Sequence, residues 1–90
     1  MNAILIDPAD DVATSLTTLS CGEVGRYMLQ GVVCEIAISE HIPQYHKFAV
    51  RDIRLSEPVR KYGEIIGTAI CAIRKGAHVH VHNIASRGER

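Results

Sequence analysis

The sequence has no excess of charge of either sign, because ten Lys and Arg residues are matched by ten Asp and Glu residues. A balanced chain lacks the positive field that draws proteins to nucleic acid or to an anionic membrane, so we expect neither as a main partner. A net charge near zero also does little to oppose self-association, which is compatible with a place inside an assembly and with a homo-oligomer.

Cysteine is scarce, and Cys21, Cys34 and Cys71 are far apart, odd in number and in no Cys-x-x-Cys arrangement. This spacing suggests neither a disulfide framework nor a thiolate zinc site, and a reducing compartment is its simplest setting. No apolar run approaches the length that spans a membrane. The acidic start of the chain also lacks the basic region of a signal peptide, so we expect a cytoplasmic protein.

Ninety residues suit one small domain. Short β-branched runs separated by turn residues predict many short strands, and the segments expected to be extended are 3–6, 12–19, 31–38, 46–50 and 65–73. The last segment is long enough for a helix, but its isoleucines and Gly67 favour a bent strand. Gly25 and Gly31 are expected to bracket a tighter segment around Tyr27. The sequence therefore predicts a compact all-β domain over residues 1–84, with 85–90 as a flexible tail or the start of a linker.

The most informative motif is Gly76-Ala77-His78-Val79-His80-Val81-His82-Asn83. In an extended strand the three histidines share one face, and imidazole serves both as a metal ligand and in proton transfer near neutral pH. Strand neighbours two apart lie roughly 6.6 Å from each other and those four apart about 13 Å, so one ion takes an adjacent pair more readily than all three. The alternatives are a solvated edge strand and histidines that cap a turn.

Three separated motifs occur in a recognisable order: Ile42-Pro43-x-x-His46-Lys47-x-Ala49-x-x-Asp52-Ile53, Val59-x-Lys61-Tyr62-Gly63-Glu64-x-Ile66-Gly67, and Gly76-x-His78-Val79-His80-x-His82-Asn83. Together they resemble the SAF domain of the altronate dehydratase family. That domain is found at the N-terminus of altronate and galactarate dehydratases and as a separate small subunit of relatives, including sulfolactate sulfo-lyase. The resemblance is strong over the C-terminal half of the chain and looser over the N-terminal half. It implies a β-clip fold, a long bent hairpin folded over on itself, and a larger catalytic subunit or domain as partner.

The resemblance also implies a reaction, because family members remove water from a sugar acid, or sulfite from sulfolactate, after loss of the proton α to a carboxylate. It implies a divalent cation, Fe(II) or Mn(II), and histidine with oxygen ligands would suit either. Our leading hypothesis is the small subunit or N-terminal domain of a metal-dependent hydro-lyase of the altronate type. The alternatives are a sulfolactate sulfo-lyase subunit and a non-catalytic module that binds a carbohydrate or a partner.

Within the histidine motif, His80 and His82 are the expected metal ligands, with His78 as a weaker third. Asn83 is expected to offer a neutral hydrogen-bonding group to the substrate. The competing interpretation is a hydrogen-bonded strand end that contacts the large subunit.

Outside that motif, His46 is a candidate acid, base or ligand, and Lys47 is a candidate contact for the substrate carboxylate. Adjacent residues of a strand face opposite ways, so only one of them is expected to act on a given ligand. The alternative is a buried, hydrogen-bonded histidine beside a lysine that lies along apolar surface. The Lys61 to Glu64 segment most simply marks a turn, although Lys61 is long enough to reach the substrate.

Overall fold

The computed structural model describes residues 1–86, which form nine short strands and, within that range, no helix. The strands are β1 (Ala3–Ile4), β2 (Val12–Ser15), β3 (Val24–Leu29), β4 (Val32–Ala37), β5 (Lys47–Ala49), β6 (Pro58–Lys61), β7 (Glu64–Ala69), β8 (His78–Val79) and β9 (Ile84–Ser86). All their pairings are antiparallel, so the expected all-β domain of short bent strands is confirmed. Residues 1–86 contain no helix long and apolar enough to cross a lipid bilayer.

A four-stranded sheet in the order β1-β2-β5-β8 lies at the centre of the fold. Its strand β5 is buried on both sides, since Phe48 and Ala49 point to opposite faces and neither is exposed to solvent. Phe48 packs in one apolar cluster with Ala13, and Ala49 packs in a second cluster with Val79. The sheet therefore separates two small cores.

Strands β3 and β4 form a separate hairpin, paired over the whole length of both strands. The expected tight segment around Tyr27 is therefore wrong. Gly25 does not break the strand; a Cβ there would lie 2.7 Å from the ring of Phe48, so glycine is needed for close packing against the central sheet. The turn lies instead at Gln30 and Gly31, which have φ angles of 50° and 80°.

Strands β6, β7 and β9 form a third sheet, in which the turn between β6 and β7 has positive φ at Tyr62 (57°) and Gly63 (76°). This confirms the predicted turn. The expected start of a tail at 85 is wrong, because Ala85 and Ser86 belong to β9 and pair with β7. Gly67 makes that pairing possible, since a Cβ there would collide with the carbonyl oxygen of Ala85. The rest of the predicted tail, 87–90, lies outside the described residues.

Two buried carboxylates connect this third sheet to the central one. The Asp10 carboxylate accepts the backbone N–H groups of Tyr62 and Gly63 at 2.9 and 2.8 Å. The Asp11 carboxylate accepts the backbone N–H of Arg60 at 2.8 Å. Because the start of β2 follows directly, these bonds fix the position of the β6–β7 turn against the central sheet.

Candidate functional site

The histidine motif leaves the central sheet early. Strand β8 ends at Val79, and the chain then turns through 81–83. The expected strand alternation is therefore wrong beyond Val79. The cause is Asn83, whose side-chain oxygen accepts the N–H of His80 at 2.9 Å and whose amide nitrogen donates to the carbonyl of His78 at 2.7 Å. Asn83 is buried with both ends of its amide bonded to backbone, so the structure gives it the role of closing this turn.

The turn brings His80 back over its neighbours, and three imidazole rings stack. The ring centroids of His46 and His80 lie 4.4 Å apart, and those of His46 and His78 lie 5.0 Å apart. His78 faces Phe48 across the β5–β8 pair, and His46 shares the face of Phe48 because it lies two residues before it. The sequence predicted a role for each ring, but not that they would meet.

His46 Nδ1 and His78 Nε2 are 2.8 Å apart. One of the two nitrogens must donate and the other accept, so a single proton lies between the rings. One donor nitrogen from each of His46, His78 and His80 falls within a group whose atoms all lie within 4.8 Å of one another. We call these three residues the imidazole cluster.

A second possible ligand group contains Glu40, His78 and His82, whose donor atoms also lie within 4.8 Å of one another. The Oε1 atom of Glu40 accepts the backbone N–H of His78 at 2.7 Å, which fixes the carboxylate beside the ring. We call this group the Glu40 triad. The two residues expected to bind metal as a pair, His80 and His82, thus fall into different groups, and His78, expected to be the weaker third, belongs to both.

Burial and neighbouring positive charge favour the neutral form of two of these rings, His78 and His80. The pKa of His78 is lowered to about 4, chiefly by burial and then by His46, His82 and His80. The pKa of His80 is lowered by burial and then by His46 and Lys47. Neutral imidazole is the form that can ligate a metal ion or accept a proton.

The lowered pKa of His78 predicts a pH-dependent stability for the metal-free chain. The unfolded ring titrates near 6.5 and the folded ring near 4, so the unfolded state binds more protons between these values. The stabilisation from neutral His78 is therefore complete above about pH 6.5 and is lost as the pH falls towards 4. We expect a loss of roughly 1–2 kcal/mol, less than the full shift implies because solvent reaches part of the ring.

Urea unfolding of the wild type and of His78→Gln, measured in EDTA from pH 7.5 to 4, checks this prediction. The variant has no imidazole at 78, so its stability should fall less over this range. Equal pH dependence in the two proteins would contradict a lowered pKa.

Lys47 projects from the other face of the central sheet, opposite Val79 and away from His46. The expectation that His46 and Lys47 face opposite ways agrees with this register. The pKa of Lys47 is lowered, first by burial and then by the charge of Lys61. The Lys61 ammonium lies 4.7 Å from the ring centroid of Tyr62. The charges of the two predicted lysines thus affect each other. Of these two lysines, Lys47 is the one that helps to lower the pKa of His80.

A cavity of about 450 Å³ opens beside the Glu40 triad. Glu40, His82, Asn83, Arg74 and Cys71 are among the residues that line it, whereas the three rings of the imidazole cluster do not. A volume of this size is within the range of small-molecule sites. The sequence motifs did not identify Glu40 or Arg74 as site residues. Glu40 lies 38 residues before His78, so no local spacing links it to the histidine motif.

Comparison with known proteins shows similarity along the whole chain. The family model described as the altronate/galactarate dehydratase SAF domain matches residues 1–87. The (2R)-sulfolactate sulfo-lyase subunit alpha of Chromohalobacter salexigens is 36% identical over 89 residues. The altronate dehydratases of Escherichia coli and Bacillus subtilis are 37% and 36% identical over 83 and 80 residues.

These relatives differ greatly in length. The match to the sulfo-lyase subunit covers 92% of this chain and 93% of the subunit. The matches to the two altronate dehydratases cover 92% and 89% of this chain but only 16% and 15% of those proteins. The chain therefore spans nearly all of one relative and a small part of the other two.

Proposed function

Since the chain belongs to the altronate/galactarate dehydratase SAF-domain family, we propose that it is the small subunit or N-terminal domain of a hydro-lyase. The substrate is a sugar acid of the altronate type, and the product is a 2-keto-3-deoxy acid. The observation that carries this proposal is the match to two altronate dehydratases over about nine-tenths of the chain. Because those enzymes are several times longer, a larger catalytic subunit or domain completes the active centre.

The residues of the site fit a divalent cation, Fe(II) or Mn(II). Imidazole nitrogens and a carboxylate oxygen are ligands that both ions accept, and burial keeps His78 neutral. The imidazole cluster and the Glu40 triad both offer three donor atoms, and His78 is common to both. When bound, the cation would supply positive charge beside the substrate carboxylate as the α-proton is lost.

The chain's own residues supply proton-handling groups. The hydrogen bond between His46 Nδ1 and His78 Nε2 orients the two rings and couples their tautomers. His46 is half-buried and reaches solvent, so it is the candidate to exchange a proton with the substrate or a water. The contact of Lys47 or Lys61 with a substrate carboxylate stays a prediction, because Lys47 lies on the other face of the sheet from His46 and its lowered pKa favours the neutral amine.

A second candidate function is that of a sulfolactate sulfo-lyase subunit. The observation in its favour is the match to subunit alpha over 93% of that subunit's length. The chemistry is related, because both reactions eliminate a leaving group β to a carboxylate, water in one case and sulfite in the other. The same histidines and lysines would serve both reactions, so the leaving group distinguishes the two functions.

The test is an assay of the chain assembled with its large catalytic region, with Fe(II) or Mn(II) added. Altronate and galactarate are offered with detection of the 2-keto-3-deoxy product, and sulfolactate with detection of sulfite. We expect dehydration of a sugar acid that is lost on changing His80 and His82 to alanine and kept in His41→Ala, since His41 is exposed and belongs to neither ligand group. Sulfite release without dehydration would select the second function. Binding of a sugar acid without turnover would reject both in favour of a non-catalytic module.

A further inference from the structure

His78 belongs to two possible ligand groups, but it has only two ring nitrogens to share between them. Its Nε2 atom is already in the 2.8 Å hydrogen bond with His46 Nδ1. Two of the three rings of the imidazole cluster, His46 and His78, are therefore already hydrogen-bonded to each other, and an ion that used these nitrogens would have to displace the proton between them. The nitrogen of His78 that remains for a cation is Nδ1.

This arrangement resembles the way proteins prepare a histidine ligand. A metal-binding imidazole commonly donates its second N–H to a neighbouring acceptor, which fixes its tautomer and the direction of its free nitrogen. Here a His78 that donates from Nε2 to His46 leaves Nδ1 unprotonated and able to coordinate. His46 would then be a positioning residue for the ion.

The Glu40 carboxylate, like the His78 ring, is oriented by a hydrogen bond that leaves one atom for a cation. Its Oε1 atom accepts the backbone N–H of His78 at 2.7 Å, so its Oε2 atom remains for a ligand. The hydrogen bond comes from the residue whose ring is also a ligand, so carboxylate and ring are fixed relative to each other. Two histidines and one carboxylate with open positions are typical of non-haem Fe(II) sites.

The adjoining cavity indicates the direction in which the open coordination positions of an ion at the Glu40 triad would face. Glu40 and His82 line the 450 Å³ space, and Arg74 lines it too. Within residues 1–86 Arg74 makes no side-chain ion pair, so its guanidinium is available to an anion. A substrate carboxylate could therefore contact the ion and Arg74 from within one cavity.

We infer that the Glu40 triad, rather than the imidazole cluster, is the divalent-cation site of this domain, and that its open positions face a carboxylate held in the adjoining cavity. This inference rests on the proposed function for its substrate class. The assignment of ligands rests on geometry alone and can be tested without turnover.

The experiment is a titration of the full chain with Co(II), followed by the visible absorption of the bound ion and by competition with a chelator. We expect Glu40→Gln and His82→Ala each to weaken Co(II) binding at least tenfold. Glu40→Gln is a mild change because Gln keeps an oxygen for the His78 N–H, and its urea midpoint should match the wild type. We expect His80→Ala to change the affinity by less than about threefold, as should the matched controls Glu64→Gln and His41→Ala, which replace exposed residues outside both groups.

Three results would overturn the inference. Loss of binding in His80→Ala with normal binding in Glu40→Gln would place the ion in the imidazole cluster. No binding by the wild type, or equal binding by all the variants, would show that the chain has no specific site of this kind. Co(II) binding that depends on Glu40, in an assembled protein without lyase activity, would instead reject the proposed function and support the cation site.

Discussion

Replacing His78 by alanine is expected to lower the lyase activity of the assembled enzyme at least a hundredfold. The ring belongs to both ligand groups and is hydrogen-bonded to His46, so its removal affects the cation site and the orientation of His46 together. Loss of a positioned acid or base alone typically costs a factor of about 10²–10⁴. The measurement is kcat/KM for the sugar acid, at saturating Fe(II) or Mn(II).

The matched control for this change is His41→Ala, which removes an exposed imidazole one residue after Glu40 and should keep nearly full activity. The far-ultraviolet circular dichroism of His78→Ala should be unchanged, because the backbone bonds of β8 do not depend on the side chain. Activity of the variant within threefold of wild type would contradict a shared role for this ring.

Replacing Asp11 by alanine is expected to destabilise the domain by about 2–4 kcal/mol. The buried carboxylate accepts the Arg51 side chain at 2.6 Å and the Arg60 backbone N–H at 2.8 Å. Alanine would leave that N–H without its acceptor. For a domain of this size the loss corresponds to a fall in Tm of roughly 10–20 °C.

Glu35→Ala provides a direct comparison, because Glu35 makes an ion pair with Arg26 of similar length, 2.7 Å. The side chain of Glu35 is 57% exposed, against 6% for Asp11. An exposed pair typically contributes less than about 1 kcal/mol, so Glu35→Ala should lower the urea midpoint only slightly. Equal losses in the two variants would show that burial of the Asp11 carboxylate is not what makes it important.

Local patterns were enough to predict an all-β domain, although they missed β3. Alternating β-branched runs form β2 and β4, and the glycine after Tyr62 forms the turn expected of it. The predicted break at Gly25 was wrong because glycine is required there by the close contact with the ring of Phe48. That ring lies 23 positions later in the chain. A tertiary contact of that kind leaves no trace in the local sequence.

The histidine motif shows the same limit within the site. A period of two predicts a strand, but the side chain of Asn83, three residues beyond His80, accepts the His80 N–H and closes a turn instead. The motif itself identified His78, His80 and His82. Their grouping with His46 and Glu40 depends on the order of strands in the central sheet, which the sequence pattern does not specify.

The order of the central sheet also has a consequence for how the protein folds. Strand β8 reaches its place beside β5 only after the intervening chain has folded back, and the contacts of His78 with His46 and Glu40 bridge 32 and 38 residues. Closing loops of this length costs conformational entropy before the contacts can form. Contacts between distant residues therefore slow folding. The side chains of the site come together only where β5 and β8 pair, so we expect cation binding to require the assembled central sheet.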